Sequence, residues 1–245
     1  MTLLKSIKET AIAQKKQIAV LIDPDGRSVS YFEMMAKTAQ SAGVDFVFVG
    51  GSLIGDDQMD LCLEALRGNC SIPLILFPGS VMQVNGKADA ILFLSLISGR
   101  NPEMLIGRQV VAAPYIKKAG LEAIATGYML IDSGRSTTAL YMSNTLPIPS
   151  DKPQIAGCTA MAGEMLGLQV IYLDGGSGAE NPISAELIRE VRNTVNLPII
   201  VGGGIRTAEQ AIVACEAGAD IVVVGTIAEK DPSRLVAIAK AVHQE

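Results

Sequence analysis

Eight short runs of β-branched and apolar residues, separated by stretches of helical periodicity, restrict the fold more than any other feature of this chain. The expected strands cover residues 18–22, 46–49, 73–77, 90–94, 122–131, 169–173, 197–201 and 221–224. Helical spacing is predicted over 31–42, 57–66, 103–117, 153–166, 184–194, 207–217 and 233–242. Strands apolar on both faces need cover on both sides, which is the condition of a parallel sheet wrapped in helices. Eight alternations of that kind point to a single α/β domain over 1–245, a (β/α)8 TIM barrel. Residues 2–15 have helical spacing of their own and are expected to cap the barrel floor.

One repeat is short. Only residues 78–89 separate the third strand from the fourth, and they include Gly79, Asn85 and Gly86. A barrel helix with its two loops hardly fits there. Either a shortened helix occupies the gap or an extended segment replaces it and leaves an apolar opening in the wall. The fifth strand is expected to be interrupted at Thr126-Gly127-Tyr128 and to end near Asp132, followed by a long polar connection over 133–151.

Composition excludes several functions. A net charge of -5 leaves no basic stripe to neutralise a nucleic-acid backbone or to hold the chain on an anionic membrane. Cys62, Cys70, Cys158 and Cys215 lie far apart, without metal-ligand spacing, and read as buried thiols of a cytoplasmic protein. The single histidine, His243, sits near the C-terminus, so proton transfer falls to carboxylates, tyrosine, lysine or water.

The chemistry suggested by the strand ends is that of phosphates. The seventh strand runs into Gly202-Gly203-Gly204, with Thr207 as the N-cap of the following helix, and the eighth into Gly225-Thr226. Such turns either serve chain reversal alone or direct backbone amides at an anion, as the last two turns of many barrels do. A closed barrel also brings Asp23, Asp25, Ser52, Arg100, Thr126, Tyr128, Tyr172, Asp174 and Ser177 to the same rim. Asp23 and Asp25 suit Mg²⁺, which takes oxygen ligands, or equally the cap of the next helix. Ser52 alone reads as a turn hydroxyl.

The motifs Leu21-Ile22-Asp23-Pro24-Asp25, Val49-Gly50-Gly51-Ser52, Leu76-Phe77-Pro78-Gly79-Ser80, Ser98-Gly99-Arg100-Asn101-Pro102, Thr126-Gly127-Tyr128, Tyr172-Leu173-Asp174-Gly175-Gly176-Ser177-Gly178, Val201-Gly202-Gly203-Gly204-Ile205-Arg206 and Val224-Gly225-Thr226 occur in order with preserved spacing. Together they resemble the geranylgeranylglyceryl phosphate synthase family, in its larger archaeal-type branch, which has bacterial members. The resemblance implies a barrel whose third helix is replaced by an extended segment. It also implies Mg²⁺-dependent transfer of a geranylgeranyl group from geranylgeranyl diphosphate to the 3-hydroxyl of sn-glycerol 1-phosphate. By motif, Asp23 and Ser52 would hold the metal, while Tyr172, Leu173, Asp174, Gly175, Gly176, Ser177, Gly178, Gly203, Gly204, Gly225 and Thr226 would bind glycerol phosphate. The first motif departs from the family, with Gly26-Arg27 where many members have Lys, so that Arg27 or Arg100 would have to bind diphosphate.

Within that reading Asp174 is expected either as the base or as a hydrogen-bond partner of glycerol without proton transfer, with Tyr172 positioning the acceptor or facing the prenyl cation. A trough for the tail is expected along Phe93, Leu96, Tyr115 and Met129, unless these are ordinary core. The resemblance further implies a homo-oligomer, a dimer or hexamer, and a lipid donor and product make transient contact with a membrane surface plausible. Two other readings compete: a phosphate-binding barrel isomerase of the histidine or tryptophan biosynthesis type, with Asp23 and Asp132 as an acid and base pair, and a non-catalytic protein that binds phosphorylated metabolites.

Overall fold

The computed structural model describes residues 2–53, 55 and 58–244, and the backbone alone of Glu229. Strands β1 (Gln17–Ile22), β2 (Phe46–Val49), β3 (Leu74–Leu76), β4 (Ala90–Leu96), β5 (Glu122–Leu130), β6 (Val170–Asp174), β7 (Ile199–Gly202) and β8 (Ile221–Val224) pair in parallel in sequence order. β8 returns to β1 through Val20↔Val224 and its neighbours, closing the barrel. The fold is the expected TIM barrel.

The strands are apolar on both faces because each separates two cores. Outward residues such as Ile18, Val20, Ile22, Leu173 and Val201 pack under the helices. Inward residues, among them Ala19, Phe48, Ile75, Tyr128, Tyr172 and Ile200, fill the barrel. Helix α1 (Leu3–Ile12) covers the floor, burying Ile7 in the inner core. It is tied down by Glu122 at the start of β5, whose carboxylate accepts from Leu3 N (2.7 Å) and Leu4 N (2.9 Å), satisfying two otherwise orphaned amides of the helix start. His243 lies at the N-terminal side of the barrel, with Nε2 2.9 Å from Oδ2 of Asp45, the residue before β2.

The outer ring consists of α2 (Val29–Ala42), α3 (Met59–Asn69), α4 (Arg108–Ala119), α5 (Thr138–Ser143), α6 (Pro153–Met165), α7 (Ala185–Thr194), α8 (Ala208–Ala217), α9 (Thr226–Lys230) and α10 (Pro232–His243). Residue 57, where the second helix was expected to begin, lies outside the described residues. Between β3 and β4 there is only one 3₁₀ turn, Val81–Gln83, so no helix covers this part of the wall. α4 is preceded by a π-helical turn, Glu103–Gly107.

Several expectations need correction. β5 is continuous through Thr126-Gly127-Tyr128. Gly127 serves close packing instead of breaking the strand, since a Cβ there would lie 2.9 Å from Ile97 Cδ1 and 3.0 Å from Ile171 Cδ1. β4 runs two residues further than expected, to Leu96, because its pairing with β5 extends to Leu96↔Tyr128. The connection over 133–151 contains α5, capped by the Thr137 hydroxyl. The short helix α9 starts directly at Thr226, ahead of the expected final helix. Of the thiols, Cys62 and Cys215 are buried, and burial pushes them up to about 12 and about 11; Cys70 is half-buried and Cys158 is exposed on α6.

Candidate active site

The C-terminal ends of the strands enclose a cavity of about 590 Å³ with three distinct regions. Gly176, Ser177, Gly178, Gly203, Gly204, Gly225 and Thr226 form one side. Asp23, Asp25, Gly51 and Ser52, from the loops after β1 and β2, form another corner. An apolar trough leads away between them along Val81, Val84, Phe93, Leu96, Ala112 and Ile116, through the part of the wall that has no third helix.

The glycine side is built backbone on backbone. Gly203 has φ 86° and a Cβ there would lie 2.7 Å from Gly175 N; Gly204 has φ 78° and its Cβ would lie 2.7 Å from Asn181 O. Only glycine tolerates both the left-handed conformation and that approach. Arg206 fastens the β7 turn to the β6 turn, its guanidinium donating to Glu180 O at 3.1 Å and to Ala179 O. Thr207 caps α8 as expected, its hydroxyl accepting from Gln210 N at 3.3 Å. Glycine amides beside the start of α9 suit a phosphate monoester.

The floor is aromatic and holds one buried acid. Phe77 stacks on Tyr172 with centroids 5.1 Å apart and an interplanar angle of 18°, and Tyr128 meets Tyr172 edge-on at 5.6 Å. Asp174 ends β6, where Oδ2 accepts from Tyr128 Oη at 2.5 Å and Oδ1 from Gly176 N at 2.7 Å. Burial raises the Asp174 pKa above the ordinary carboxylate value, against the pull of those two hydrogen bonds. Burial, reinforced by the Asp174 charge, pushes both phenols well up, so Tyr128 and Tyr172 remain protonated. A carboxyl raised in this way is suited to taking a proton.

At the other corner Asp23 and Asp25 both line the cavity, and Asp25 also ties the loop after β1 to the loop after β2 by accepting from Gly55 N at 3.0 Å. The cap of α2 is Ser28, whose hydroxyl accepts from Tyr31 N, and this removes the helix-cap reading of the two acids. Partial burial raises the Asp23 pKa, the Asp25 N–H at 3.1 Å lowers it, and the Asp25 charge raises it again. Gly51 packs closely beside it: a Cβ there would lie 2.8 Å from both Asp23 oxygens, so the carboxylate would have to move. Among the described residues no three His, Cys, Asp or Glu side chains gather as a ligand set. Asp23 and Ser52 both line this corner, and their side-chain oxygens are of the donor type that Mg²⁺ takes alongside water and substrate phosphates.

The remaining predicted residues fall elsewhere. Leu173 points into the outer core, and Gly175 borders a small side pocket with Ser133 instead of the main cavity. Arg100 is exposed and outside the cavity; its Nη1 donates to Gly99 O at 2.8 Å, within its own turn. Thr126 is buried within β5, with Oγ1 donating to Ile124 O at 2.8 Å. Tyr115 is 58% exposed and Met129 lies in the outer core, so of the four residues expected along the trough only Phe93 and Leu96 line it. Asp132 is exposed beside the side pocket, and the isomerase-type pair with Asp23 does not assemble. Arg27 does line the cavity, with its guanidinium 5.0 Å from the centre of the Tyr31 ring. The cavity also contains Phe77, Arg108, Arg135 and Lys230, which sequence reasoning did not select. Phe77 was legible from its motif at a strand end, whereas a lone arginine on a helix carries no signal of its own.

A closed parallel barrel with a glycine seat, a strand-end acid and an apolar trough at one rim defines a phosphate-binding (β/α)8-barrel enzyme. More narrowly, the chain belongs to the PcrB family, whose sequence model matches residues 10–242. A protein named geranylgeranylglyceryl phosphate synthase from Chitinophaga pinensis is 54% identical over 228 residues, covering 93% of this chain and 90% of that relative. One of the same name from Korarchaeum cryptofilum is 42% identical, covering 92% and 93%. The crystal structure of (S)-3-O-geranylgeranylglyceryl phosphate synthase from Thermoplasma acidophilum in complex with sn-glycerol-1-phosphate superposes with a TM-score of 0.94, at 33% identity over all of both chains. The tryptophan synthase alpha subunit of Legionella pneumophila, at 16% identity and a TM-score of 0.61, shares the fold alone.

Proposed function

We propose that the protein is a Mg²⁺-dependent prenyltransferase that moves a geranylgeranyl group from geranylgeranyl diphosphate to the 3-hydroxyl of sn-glycerol 1-phosphate, in ether lipid synthesis. The observation that carries this reading is the single cavity in which a glycine seat, a buried acid, an oxygen-lined corner and an apolar trough converge. An isomerase of a small sugar phosphate has no use for the trough.

The amides of Gly203, Gly204, Gly225 and Thr226 would hold the phosphate of the acceptor, leaving its 3-hydroxyl over Asp174. The tail of the donor would lie in the trough, where each buried methylene contributes about 0.8 kcal/mol. Mg²⁺ on Asp23 and Ser52 would supply positive charge against the diphosphate, an electrostatic effect of about several kcal/mol. The bond between the donor's C1 and its diphosphate oxygen breaks with the electron pair leaving on diphosphate, and the glycerol oxygen takes its place on C1. The stacked pair of Tyr172 and Phe77, which lines the cavity, would supply π density near the allylic charge that develops meanwhile. Asp174 takes the hydroxyl proton, held in place by Tyr128 and the Gly176 amide.

The same reading places the protein in the cytoplasm as a homo-oligomer, a dimer or hexamer. Ile106, Val110, Val111 and Tyr115, each more than half exposed on α4 and the turn before it, are suited to an interface. Tyr141 and Leu146, 84% and 85% exposed beside the cavity-lining Met142, suit transient contact with a membrane that delivers the donor. Among the described residues no helix is long and apolar enough to cross a membrane.

The test combines protein, Mg²⁺, geranylgeranyl diphosphate and either enantiomer of glycerol phosphate. Ether product from the sn-1 form alone supports the proposal. No product, or equal use of both forms, overturns it.

A further inference from the structure

We infer that Arg108 binds the diphosphate end of the prenyl donor, reaching over the mouth of the trough from the helix that forms its wall. This rests on the proposed transfer reaction and adds a residue that neither the motifs nor the relatives assign.

The trough and the acid corner meet where the loop after β3 crosses the loop after β2. Gly79 packs so closely there that a Cβ would lie 2.5 Å from Gly51 O and 2.9 Å from Ser52 O. Gln83 locks the same junction, its Nε2 donating to Gly51 O at 2.8 Å while its Oε1 accepts from Gly79 N at 3.2 Å. Arg108, the first residue of α4, donates from Nη1 to Gly79 O at 3.2 Å. A cation rooted on the trough wall thus ends next to the loop contact that carries Ser52. A donor threaded tail-first along Phe93, Ala112 and Ile116 leaves its charged end at that junction.

Of the five N–H groups of a guanidinium, one here is engaged by a carbonyl, and Arg108 lines the cavity. The planar fork can engage two oxygens of a diphosphate at once. Of the other arginines near the rim, Arg135 lies by the side pocket after β5, between that pocket and the main cavity. Arg206 holds two carbonyls on the glycine side, and Arg100 is bonded within its own exposed turn. Arg27 lies over the Tyr31 ring.

The experiment measures binding of inorganic diphosphate by calorimetry, with and without Mg²⁺, and steady-state kinetics for both substrates, in the wild type and in Arg108→Ala, Arg108→Lys and Arg27→Ala. Arg108 is exposed, so its substitution leaves the core intact. The expected result is a loss of diphosphate affinity and a rise in donor KM of about tenfold in Arg108→Ala, as for loss of a charge-assisted contact at an exposed site, with partial retention in Arg108→Lys. The KM for glycerol phosphate stays unchanged, which a merely structural role at Gly79 would not guarantee. Unchanged diphosphate binding in Arg108→Ala overturns the inference. So does a rise in glycerol phosphate KM alone, or an effect confined to Arg27→Ala. A wild type that binds diphosphate through Arg108 but transfers no prenyl group would uphold the inference and overturn the proposed function instead.

Discussion

Tyr128 and Asp174, on adjacent strands, are joined by a 2.5 Å hydrogen bond in which the phenol donates to a buried carboxylate. The acid therefore keeps a fixed orientation beneath the cavity, and its pKa is set by two opposing effects: burial raises it, and the Tyr128 and Gly176 donors lower it.

Replacing Asp174 by Asn should leave both substrates binding while reducing turnover by about 10²- to 10⁴-fold, the usual contribution of a positioned base. The phenol of Tyr128 can reverse and accept from the new amide, so the site stays packed. Steady-state kinetics decide this, and wild-type turnover would remove Asp174 from its role.

The same substitution has a stability consequence with a definite sign. A folded-state pKa above the unfolded value means that the native protein binds this proton more tightly. The stability so gained is present below the unfolded carboxylate pKa and is lost as pH rises through the folded one. Asp174→Asn, which cannot ionise, should therefore melt at a higher temperature than wild type near neutral pH, with the difference shrinking as the solution is acidified. Calorimetry across that range checks it.

Tyr128→Phe retains the ring against Tyr172 but removes the donor to Asp174. The ionised carboxylate loses support, so the acid limb of the profile of kcat/KM against pH should move to higher pH. Stability should fall by about 1.5–3 kcal/mol at a pH where Asp174 is charged, as for a lost hydrogen bond to a charged group.

Gly51→Ala and Gly203→Ala should separate the two ends of the cavity. A Cβ at Gly51 meets the Asp23 carboxylate at 2.8 Å, so the first variant should need more Mg²⁺ for half-maximal rate without a change in glycerol phosphate KM. A Cβ at Gly203 meets Gly175 N at 2.7 Å from a left-handed backbone, so the second should raise that KM and lower stability by at least about 1 kcal/mol.

Ala112→Phe places a ring in the trough. Donor KM should rise steeply with chain length, because excluding a five-carbon unit forfeits up to about 4 kcal/mol of burial. A donor shortened by two such units should be used nearly as well as by the wild type, which a donor series measures.

Much of this arrangement was legible in the chain because period and punctuation agree. β-branched runs such as 221–224 are apolar on both faces, and glycines follow where the backbone must reverse over its neighbour, as at Gly203 and Gly204. Counting residues 78–89 left a shortened or a missing third helix, and the structure has a single 3₁₀ turn there. The break expected at Gly127 did not occur, because glycine in a strand also marks a tight contact, and the Ile97 and Ile171 side chains that press on it come from distant segments. The tail site was half legible for a related reason: Leu96 faces inward and Phe93 points outward through the part of the wall without a third helix, but Met129, also of outward parity, is buried in the outer core and Tyr115 lies on the solvent face of α4. Arg108 could not be found from the sequence, since only the crossing of two loops beside the start of α4 brings its guanidinium to the rim.

The central claim is that one cavity holds the phosphate of the acceptor on the glycines of β7 and β8 while its 3-hydroxyl faces Asp174. A crystal structure with sn-glycerol 1-phosphate and a non-reactive analogue of the prenyl diphosphate tests it most directly. The account predicts phosphate oxygens on the amides of Gly203, Gly204, Gly225 and Thr226, the 3-hydroxyl hydrogen-bonded to Asp174, and the donor's C1 between that hydroxyl and the Asp23 corner. A phosphate bound away from these glycines, or a 3-hydroxyl turned from Asp174, would contradict it.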